Sequence, residues 1–366
     1  MSKLVNIPGI IDIHVHLRDP GQTHKEDFYT GTSAALAGGV TTVFDMPNNL
    51  APIFTYEKLK EKMDIAKQKA VCDYGFFFGT DGENISEFEK VDDKVAGLKV
   101  YLNITTGKIL IENESRVAKV FEAWPKNILI MVHAEGEKID LAIKLAKRYG
   151  NRLHITHIAS KSDLEKIIKA KKDKISVTCD VTPHHLMLFT RGENIFQLTR
   201  GREKIIYNLS EGFSVVKPPL ATRTDVEYLW EHIKDIDCIV SDHAPHTREE
   251  KESYNPASGF PGLETVLPLL LTSLKDKKLT LDDIIRLTNT NPQKIFGIKQ
   301  DKDTYVEVDM DEKYTIENKN LKTKCGWSPF AGWEVYGKIK RVFIRGTKVF
   351  EAGKVLVSPG FGHNIL

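Results

Sequence analysis

The chain of 366 residues has few cysteines, almost no net charge and no long apolar run. Its four cysteines are widely separated and form no CxxC pair, which argues against a zinc ribbon or a disulfide framework. With 52 basic and 50 acidic residues the net charge is +2, so no overall field favours nucleic acid or an anionic membrane. No apolar run reaches the roughly 18 residues of a transmembrane helix, and no signal-peptide pattern is present. We therefore expect a cytoplasmic protein with reduced thiols and a small-molecule substrate, without nucleic-acid or membrane partners.

Short apolar runs alternate with segments of helical period, which is the pattern of repeated βα units around a parallel sheet. Eight such runs predict eight strands, and eight strands close a TIM-type (β/α)8 barrel. The predicted strands cover residues 11–16, 40–46, 74–79, 98–102, 129–133, 153–157, 175–180 and 238–242. Helices are predicted over 56–70, 137–149 and 162–170, the last beginning with a Ser-Asp pair.

The pattern changes after residue 300, where short strands and turns such as 305–308 and 341–344 replace the βα units. This change predicts a small β-rich appendage, which the first eight residues join. The predicted fold class is therefore α/β, with a barrel over residues 9–300 and an appendage formed by residues 1–8 and 301–366.

Polar side chains fall at the C-terminal ends of the predicted strands, the end at which TIM barrels build their active sites. A lone histidine in a strand is more often a hydrogen-bonded core residue than a metal ligand. Polar residues at or near the ends of five different strands nevertheless favour a shared metal site. The residues concerned are His14, His16, Lys99, His133, His157 and Asp242.

Lys99 is unusual because it lies inside the apolar strand 98–102, where a buried ammonium costs several kcal/mol unless it is paired or neutralised. Addition of carbon dioxide to the amine would give a carbamate whose two oxygens can bridge two divalent cations. The alternative is that Lys99 extends to the surface or pairs with a carboxylate.

Seven segments carry a specific family resemblance. They read HVHLRDPG (14–21), DMPN (45–48), GLKVYLN (97–103), TPHHL (182–186), SDHAPHT (241–247), GFPGLET (259–265) and DTYVEVD (303–309). These segments resemble dihydroorotases of the amidohydrolase superfamily, and in particular the dihydroorotase domain of the animal multifunctional pyrimidine-synthesis protein. The resemblance runs nearly end to end.

The resemblance implies a site with two zinc ions bridged by carboxylated Lys99. It assigns one metal to His14, His16 and Asp242 and the other to His133 and His157. It assigns the substrate carboxylate to Arg18, Asn48 and His246, and a mobile loop to residues 103–107, which include Thr105.

The implied activity is the reversible cyclisation of N-carbamoyl-L-aspartate to L-dihydroorotate and water in de novo pyrimidine biosynthesis. Two cations that share a hydroxide would make a nucleophile at neutral pH. Asp242 would act as general acid and base between the nucleophile and the ring nitrogen. A homodimer and association with another pyrimidine-pathway enzyme are both compatible with this assignment.

Two positions depart from the animal domain. A third metal there uses a cysteine where this chain has Thr156, which breaks that ligand set and leaves Asp180 as an additional candidate. Lys217 stands where an arginine lies near the pyrimidine ring, which keeps the charge but loses the planar fork. The segment 191–214, between predicted strands seven and eight, is longer than the resemblance leads us to expect.

Two other interpretations remain open on the sequence. A hydantoinase, dihydropyrimidinase or allantoinase shares the two-metal site, but its substrates lack the ring carboxylate that Arg18 and Asn48 would bind. A catalytically silent barrel could act as a scaffold, although all six ligand positions are filled. The same ligands accept cobalt or manganese as well as zinc.

Overall fold

The computed structural model of the protein describes residues 4–105, 109–192, 194–199, 202–205 and 211–366. The strands are β1 Leu4–Pro8, β2 Ile10–Val15, β3 Val40–Asp45, β4 Asp73–Gly79, β5 Gly97–Tyr101, β6 Leu129–His133, β7 Leu153–Ile155, β8 Val177–Val181, β9 Leu188–Arg191, β10 Asn194–Thr199, β11 Arg202–Ile205, β12 Cys238–Ile239, β13 Tyr305–Thr315, β14 Glu334–Ile344, β15 Thr347–Glu351 and β16 Lys354–Val355.

The helices follow the strands along the barrel. They are α1 Phe28–Ala37, α2 Tyr56–Lys69, α3 Phe88–Val91, α4 Glu114–Ala123, α5 Glu137–Tyr149, α6 Lys161–Lys172, α7 Pro183–Met187, α8 Arg223–Glu231, α9 Arg248–Lys251, α10 Val266–Lys275, α11 Leu281–Ile285 and α12 Asn291–Phe296. In the described part of the chain, no helix is long and apolar enough to cross a membrane.

Eight parallel strands form the predicted barrel, in the order β12-β8-β7-β6-β5-β4-β3-β2. The two outer strands meet through the residues that follow β12. Val15 and His243 form a parallel bridge, and the His16 backbone N–H donates to the His243 carbonyl at 2.8 Å. The predicted α/β barrel is thus confirmed.

An apolar layer fills the barrel below the polar strand ends. Ile13, Phe44 and Phe77 belong to one buried cluster, and Phe296 at the end of α12 packs edge-on against the two phenylalanines. The ring centroids are 5.2 Å apart for Phe44 and 5.9 Å for Phe77. Because this layer blocks the interior, only the C-terminal ends of the strands are left to form a polar site.

Five barrel strands, β2, β3, β5, β7 and β12, end earlier than predicted. As a result His16, His157 and Asp242 lie just beyond β2, β7 and β12. His157 and Asp242 have positive φ angles, 39° and 44°, and Arg18 has a φ of 63°. Left-handed backbone at a residue other than glycine costs on the order of 1–3 kcal/mol, and it breaks the strand ladder. The prediction that His157 and Asp242 belong to strands was wrong because apolar periodicity carries no information on the sign of φ. The predicted first strand was one residue too long, since β2 ends at Val15.

Helices α2 and α5 lie within one residue of the predicted bounds, whereas α6 begins one residue earlier and ends two residues later. Its N-cap is Ser160, whose hydroxyl accepts the Asp163 backbone N–H at 3.2 Å. The predicted start at Ser162 was wrong because both serines fit the capping pattern by composition, and only the chain direction before the helix distinguishes them.

The predicted appendage is a five-stranded antiparallel sheet in the order β1-β13-β14-β15-β16. After β16 the chain returns to the barrel, where the Tyr74 N–H donates to the His363 carbonyl at 2.9 Å and the Ile365 N–H donates to the Tyr74 carbonyl at 3.0 Å. The division of the chain at residues 8/9 and 300/301 stays a prediction.

The long segment after β8 contains a second antiparallel sheet. Strands β9, β10 and β11 pair in the order β11-β10-β9, with Phe196 opposite Phe189 in the register. No strand was predicted here. Of the segment 191–214, residues 193, 200, 201 and 206–210 lie outside the described part of the chain.

Candidate active site

A cleft at the C-terminal end of the barrel collects nine of the twelve side chains that the sequence singled out. It is lined by His14, His16, Arg18, Asn48, Tyr101, Thr105, His133, His157, Lys217, Asp242, Ala244, Ser258 and Gly259. Lys99, Asp180 and His246 are buried behind this lining. Of the predicted mobile loop 103–107, Thr105 lines the cleft, and residues 106 and 107 lie outside the described chain.

His14, His16 and Asp242 form one compact group of potential metal ligands, with one ligand atom from each residue all within 4.8 Å of one another. The Nε2 atoms of His14 and His16 lie 3.5 and 3.1 Å from Asp242 Oδ1. A bulge positions the pair, since three residue steps from Asp12 to Val15 match two steps of β3. Bulges beside active sites re-aim side chains in this way.

Asn48 sets the orientation of His16. The His16 Nδ1 atom lies 2.6 Å from Asn48 Oδ1, so an Nδ1–H donates to the amide oxygen. The Nε2 lone pair is then left facing His14 and Asp242, as in metal sites where a hydrogen bond fixes the tautomer of the ligand. The Asn48 amide nitrogen stays available as a donor to a substrate.

His133 and His157 form a second group next to the first. His133 Nδ1 is 2.9 Å from His157 Nε2, and the His14 and His157 rings are 5.3 Å apart between centroids. Within the described structure, three buried ring nitrogens of this region lack a hydrogen-bond partner: His14 Nδ1, His133 Nε2 and His157 Nδ1. The nitrogens placed to bind a divalent cation are instead those that face one another, namely the Nε2 atoms of His14 and His16 beside Asp242 and the Nδ1 and Nε2 atoms of His133 and His157.

The four histidines are uncharged. Burial, together with Lys99 and the neighbouring cationic groups, lowers the pKa of His14, His16 and His157 well below the usual value, and the pKa of His133 to about 3. Neutral imidazole is the form that binds a divalent cation.

Lys99 is completely buried, and its closest polar neighbour is the Thr156 hydroxyl at 3.4 Å from Nζ. Among the described residues no carboxylate oxygen lies within 4 Å of Nζ, so the predicted alternative of a direct ion pair is not formed. Burial lowers the pKa of Lys99 and raises the pKa of Asp242, while the attraction between the two groups opposes both shifts. The amine therefore lies between the two histidine groups without a counter-charge in contact.

Arg18 and Lys217 supply positive charge to the cleft. Arg18 is only 4% exposed; its Nε donates to the Pro245 carbonyl at 3.2 Å, and its NH2 group lies 3.1 Å from His246 Nε2. His246 sits behind Arg18 and does not line the cleft. An anionic group entering the cleft would meet the guanidinium and Asn48 on the side of His16.

Asp180 supports the site from below. One carboxylate oxygen lies 2.8 Å from His154 Nε2, and the other accepts the His157 backbone N–H at 2.5 Å. The Thr156 hydroxyl donates to the Val132 carbonyl at 3.1 Å. With both oxygens of Asp180 engaged, this carboxylate holds the left-handed turn at His157 in place.

Four residues of the site were not predicted from the sequence: Tyr101, His154, Lys25 and Glu250. Tyr101 lines the cleft and could have been found, because it follows Lys99 by two residues and therefore shares its strand face. Lys25 and Glu250 flank His246, with Lys25 Nζ 3.2 Å from His246 Nδ1. Glu250 could have been found, because it lies four residues after His246 and completes a Thr-x-x-Glu capping box with Thr247. No local pattern marks Lys25, because its contact with His246 spans 221 positions.

Residues 5–349 match the family model described as "Amidohydrolase family". The chain belongs to the amidohydrolase family. This family is metal-dependent, in agreement with the cluster of His14, His16 and Asp242.

Within the amidohydrolases the chain groups with dihydroorotases. It is 37% identical to a dihydroorotase of Pyrococcus horikoshii over 96% of this chain and 82% of that one. It is 42% identical to the multifunctional protein CAD of Squalus acanthias over 99% of this chain and 40% identical to the multifunctional protein pyr1-3 of Dictyostelium discoideum over 100% of it. The chain spans 16% of the length of these two relatives.

Solved structures share the fold. The L-hydantoinase of Arthrobacter aurescens superposes with a TM-score of 0.87 at 24% identity, covering 99% of this chain and 89% of that one. The inactive dihydroorotase-like domain of a CAD-like multifunctional protein of Chaetomium thermophilum gives 0.80 at 24% identity, with complete coverage of both chains. At these identities the likeness establishes the barrel and its appendage.

Proposed function

We propose that this amidohydrolase is a dihydroorotase, which interconverts N-carbamoyl-L-aspartate and L-dihydroorotate plus water in pyrimidine biosynthesis. The observation that carries the proposal is the position of Arg18 and Asn48 beside the group of His14, His16 and Asp242. Dihydroorotate has a cyclic amide for the metal site and a ring carboxylate for the guanidinium, and the relatives named dihydroorotase support the same activity.

The cofactors we propose are two zinc ions per chain. His14, His16 and Asp242 would hold one, His133 and His157 the other, and carboxylated Lys99 would bridge them. The compact group of His14, His16 and Asp242, the facing nitrogens of His133 and His157, and the buried amine of Lys99 support this assignment. When bound, the metals supply a water of lowered pKa and polarise the ring carbonyl.

In the proposed mechanism the chain itself orients the substrate and moves the proton. Arg18 and Asn48 bind the ring carboxylate, and Lys217 and Thr105 also line the cleft. In ring opening, the Asp242 carboxylate takes a proton from the attacking water and returns it to the ring nitrogen as the C–N bond breaks. In ring closure the steps reverse, and Asp242 starts protonated.

The same residues argue against a hydantoinase activity, even though hydantoinases share the fold. A substrate without a carboxylate would leave the buried Arg18 guanidinium without an anionic partner. A buried polar group that loses its partner costs on the order of 1–3 kcal/mol, and more when it is charged. A silent scaffold would not need to keep all six metal-ligand positions filled.

The decisive experiment is ring opening by the purified protein supplied with zinc and bicarbonate, comparing dihydroorotate with dihydrouracil, hydantoin and allantoin. We expect turnover of dihydroorotate alone. Preference for a ring without a carboxylate would move the protein to the hydantoinases, and no turnover with bound zinc confirmed by elemental analysis would favour the scaffold.

We further propose a cytoplasmic enzyme that works alone as a homodimer or together with another enzyme of the pathway. The support is that two relatives are multifunctional proteins in which the matching region is 16% of the length. Light scattering on the purified chain measures the dimer directly, and a strictly monomeric chain would remove that part of the proposal.

A further inference from the structure

Lys25 and Glu250 form an ion pair directly behind His246. Lys25 Nζ lies 2.9 Å from Glu250 Oε1 and 3.2 Å from His246 Nδ1. Lys25 is only 5% exposed and His246 is fully buried. The side chain of Glu250 is 30% exposed, so Lys25 is the buried member of the pair. A buried ammonium is expensive unless it is paired and hydrogen-bonded, and Glu250 and His246 supply these contacts to Lys25.

The contacts of His246 cannot all be hydrogen bonds at once. Two donors approach the ring, Lys25 at Nδ1 and Arg18 NH2 at Nε2. Two acceptors also approach it, Glu250 Oε2 at 3.4 Å from Nδ1 and the Ser258 carbonyl at 3.1 Å from Nε2. Burial lowers the pKa of His246 to about 3, so the ring is neutral, with one N–H donor and one acceptor nitrogen.

Two tautomers each satisfy one donor and one acceptor. In the Nε2–H tautomer, Lys25 donates to Nδ1 and Nε2 donates to the Ser258 carbonyl, which leaves the Arg18 NH2 group free. In the Nδ1–H tautomer, Nδ1 donates to Glu250 and Nε2 accepts a hydrogen from Arg18. The tautomer of His246 therefore decides whether one edge of the Arg18 guanidinium is available to a ligand.

The geometry favours the Nε2–H tautomer. Lys25 is closer to Nδ1 than Glu250 is, 3.2 against 3.4 Å. Glu250 is already engaged by Lys25 at Oε1 and by the Thr247 backbone N–H at 3.1 Å from Oε2, so its need for a further donor is small. The acceptors agree with this, because the Ser258 carbonyl lies 3.1 Å from Nε2, closer than Glu250 Oε2 lies to Nδ1, at 3.4 Å.

We propose that Lys25 is a positioning residue that holds His246 in the Nε2–H tautomer and so keeps the Arg18 guanidinium free to bind the substrate carboxylate. This role rests on the proposed dihydroorotase function for its effect on the substrate, but the tautomer itself is a property of the protein alone. Glu250 contributes by holding the Lys25 ammonium in place.

The test compares the zinc-loaded wild type with Lys25→Met, which keeps the length of the side chain but removes the donor. Long-range ¹H–¹⁵N correlation spectra report histidine tautomers, and the signals of His246 are those that disappear in His246→Asn. We expect Nε2–H in the wild type and Nδ1–H in Lys25→Met. We also expect the KM for dihydroorotate to rise at least tenfold in Lys25→Met while kcat changes less than threefold.

Lys25→Gln is the matched control because its amide keeps an N–H donor without the charge. We expect it to retain the Nε2–H tautomer and a KM close to that of the wild type. This variant also keeps the proposal testable if Lys25→Met does not fold. An unchanged tautomer in Lys25→Met, or a changed tautomer with an unchanged KM, would overturn the proposal. A wild type that does not turn over dihydroorotate would contradict the proposed function, whereas the tautomer comparison could still be read from the spectra.

Discussion

Lys99 is the buried side chain that most needs a chemical explanation. It is completely enclosed, its closest polar neighbour is a hydroxyl at 3.4 Å, and the described structure has no carboxylate within 4 Å of it. A free ammonium in that position costs several kcal/mol, whereas a carbamate held by two cations would be neutralised by them. Of the explanations that the sequence left open for Lys99, the structure argues against an amine at the surface and against a direct ion pair, which leaves the carbamate.

Replacement of Lys99 by Ala should therefore remove metal and activity together. We expect the zinc content of Lys99→Ala to fall and ring opening to drop by about 100-fold or more, because a bridging ligand is lost. A small added carboxylic acid should restore part of both. Metal analysis alongside the rate measurement checks this, and full activity in Lys99→Ala would rule out the carbamate bridge.

Arg18 should determine substrate binding without affecting the metal. In Arg18→Lys the charge is kept but the planar fork is lost, so we expect the KM for dihydroorotate to rise about 10- to 100-fold. The zinc content should stay unchanged, because Arg18 is not among the potential ligands. Steady-state kinetics with parallel metal analysis measures both, and a wild-type KM would mean that the carboxylate binds elsewhere.

At the scale of elements, the N-terminus of α6 can be tested with a matched pair of serines. Ser160 accepts the Asp163 N–H, whereas Ser162 lies inside the helix at an exposed position. We expect Ser160→Ala to lower the free energy of unfolding by about 1 kcal/mol and Ser162→Ala to change it by less than about 0.5 kcal/mol. Urea titrations followed by circular dichroism measure the difference; equal losses would contradict the assigned cap.

The sheet of β9, β10 and β11 was not predicted. The eight barrel strands and their order were predictable, because apolar periodicity is a local signal. The ends of β2, β7 and β12 were not, since a left-handed turn at His157 or Asp242 depends on contacts such as that between Asp180 and the His157 N–H. The candidate metal ligands could be found from strand ends and family motifs. Lys25 could not, because it contacts His246 from a segment 221 positions away in the chain.

At the scale of the whole molecule, Glu264 joins the barrel to the segment that precedes β14. Its carboxyl oxygens accept the backbone N–H groups of Lys322 and Thr323 at 2.8 to 2.9 Å. Burial raises the pKa of Glu264 from 4.5 to about 7, against the effect of these hydrogen bonds. Between these two values the folded protein retains a proton that the unfolded chain has lost.

Stability should consequently decrease as the pH rises from about 4.5 to 7, because in this window the native state binds more protons. In Glu264→Gln, which keeps an acceptor but cannot ionise, this contribution disappears. We expect the Tm of the wild type to fall more steeply with pH than that of the variant, in thermal scans at matched zinc saturation. Parallel curves would show that Glu264 does not titrate in this range.

The barrel is closed by its shortest strand. Strand β12 has only two residues. Its junction with β2 includes the bridge between Val15 and His243, the hydrogen bond from the His16 N–H to the His243 carbonyl, and one from the Ser241 N–H to the Asp12 carboxylate. His14 and His16 lie on one side of this seam and Asp242 on the other, 226 positions later in the chain than His16. A cation bound by all three residues would connect the two sides of this seam. The ion that serves the chemistry would then also hold the first strand of the barrel to the last.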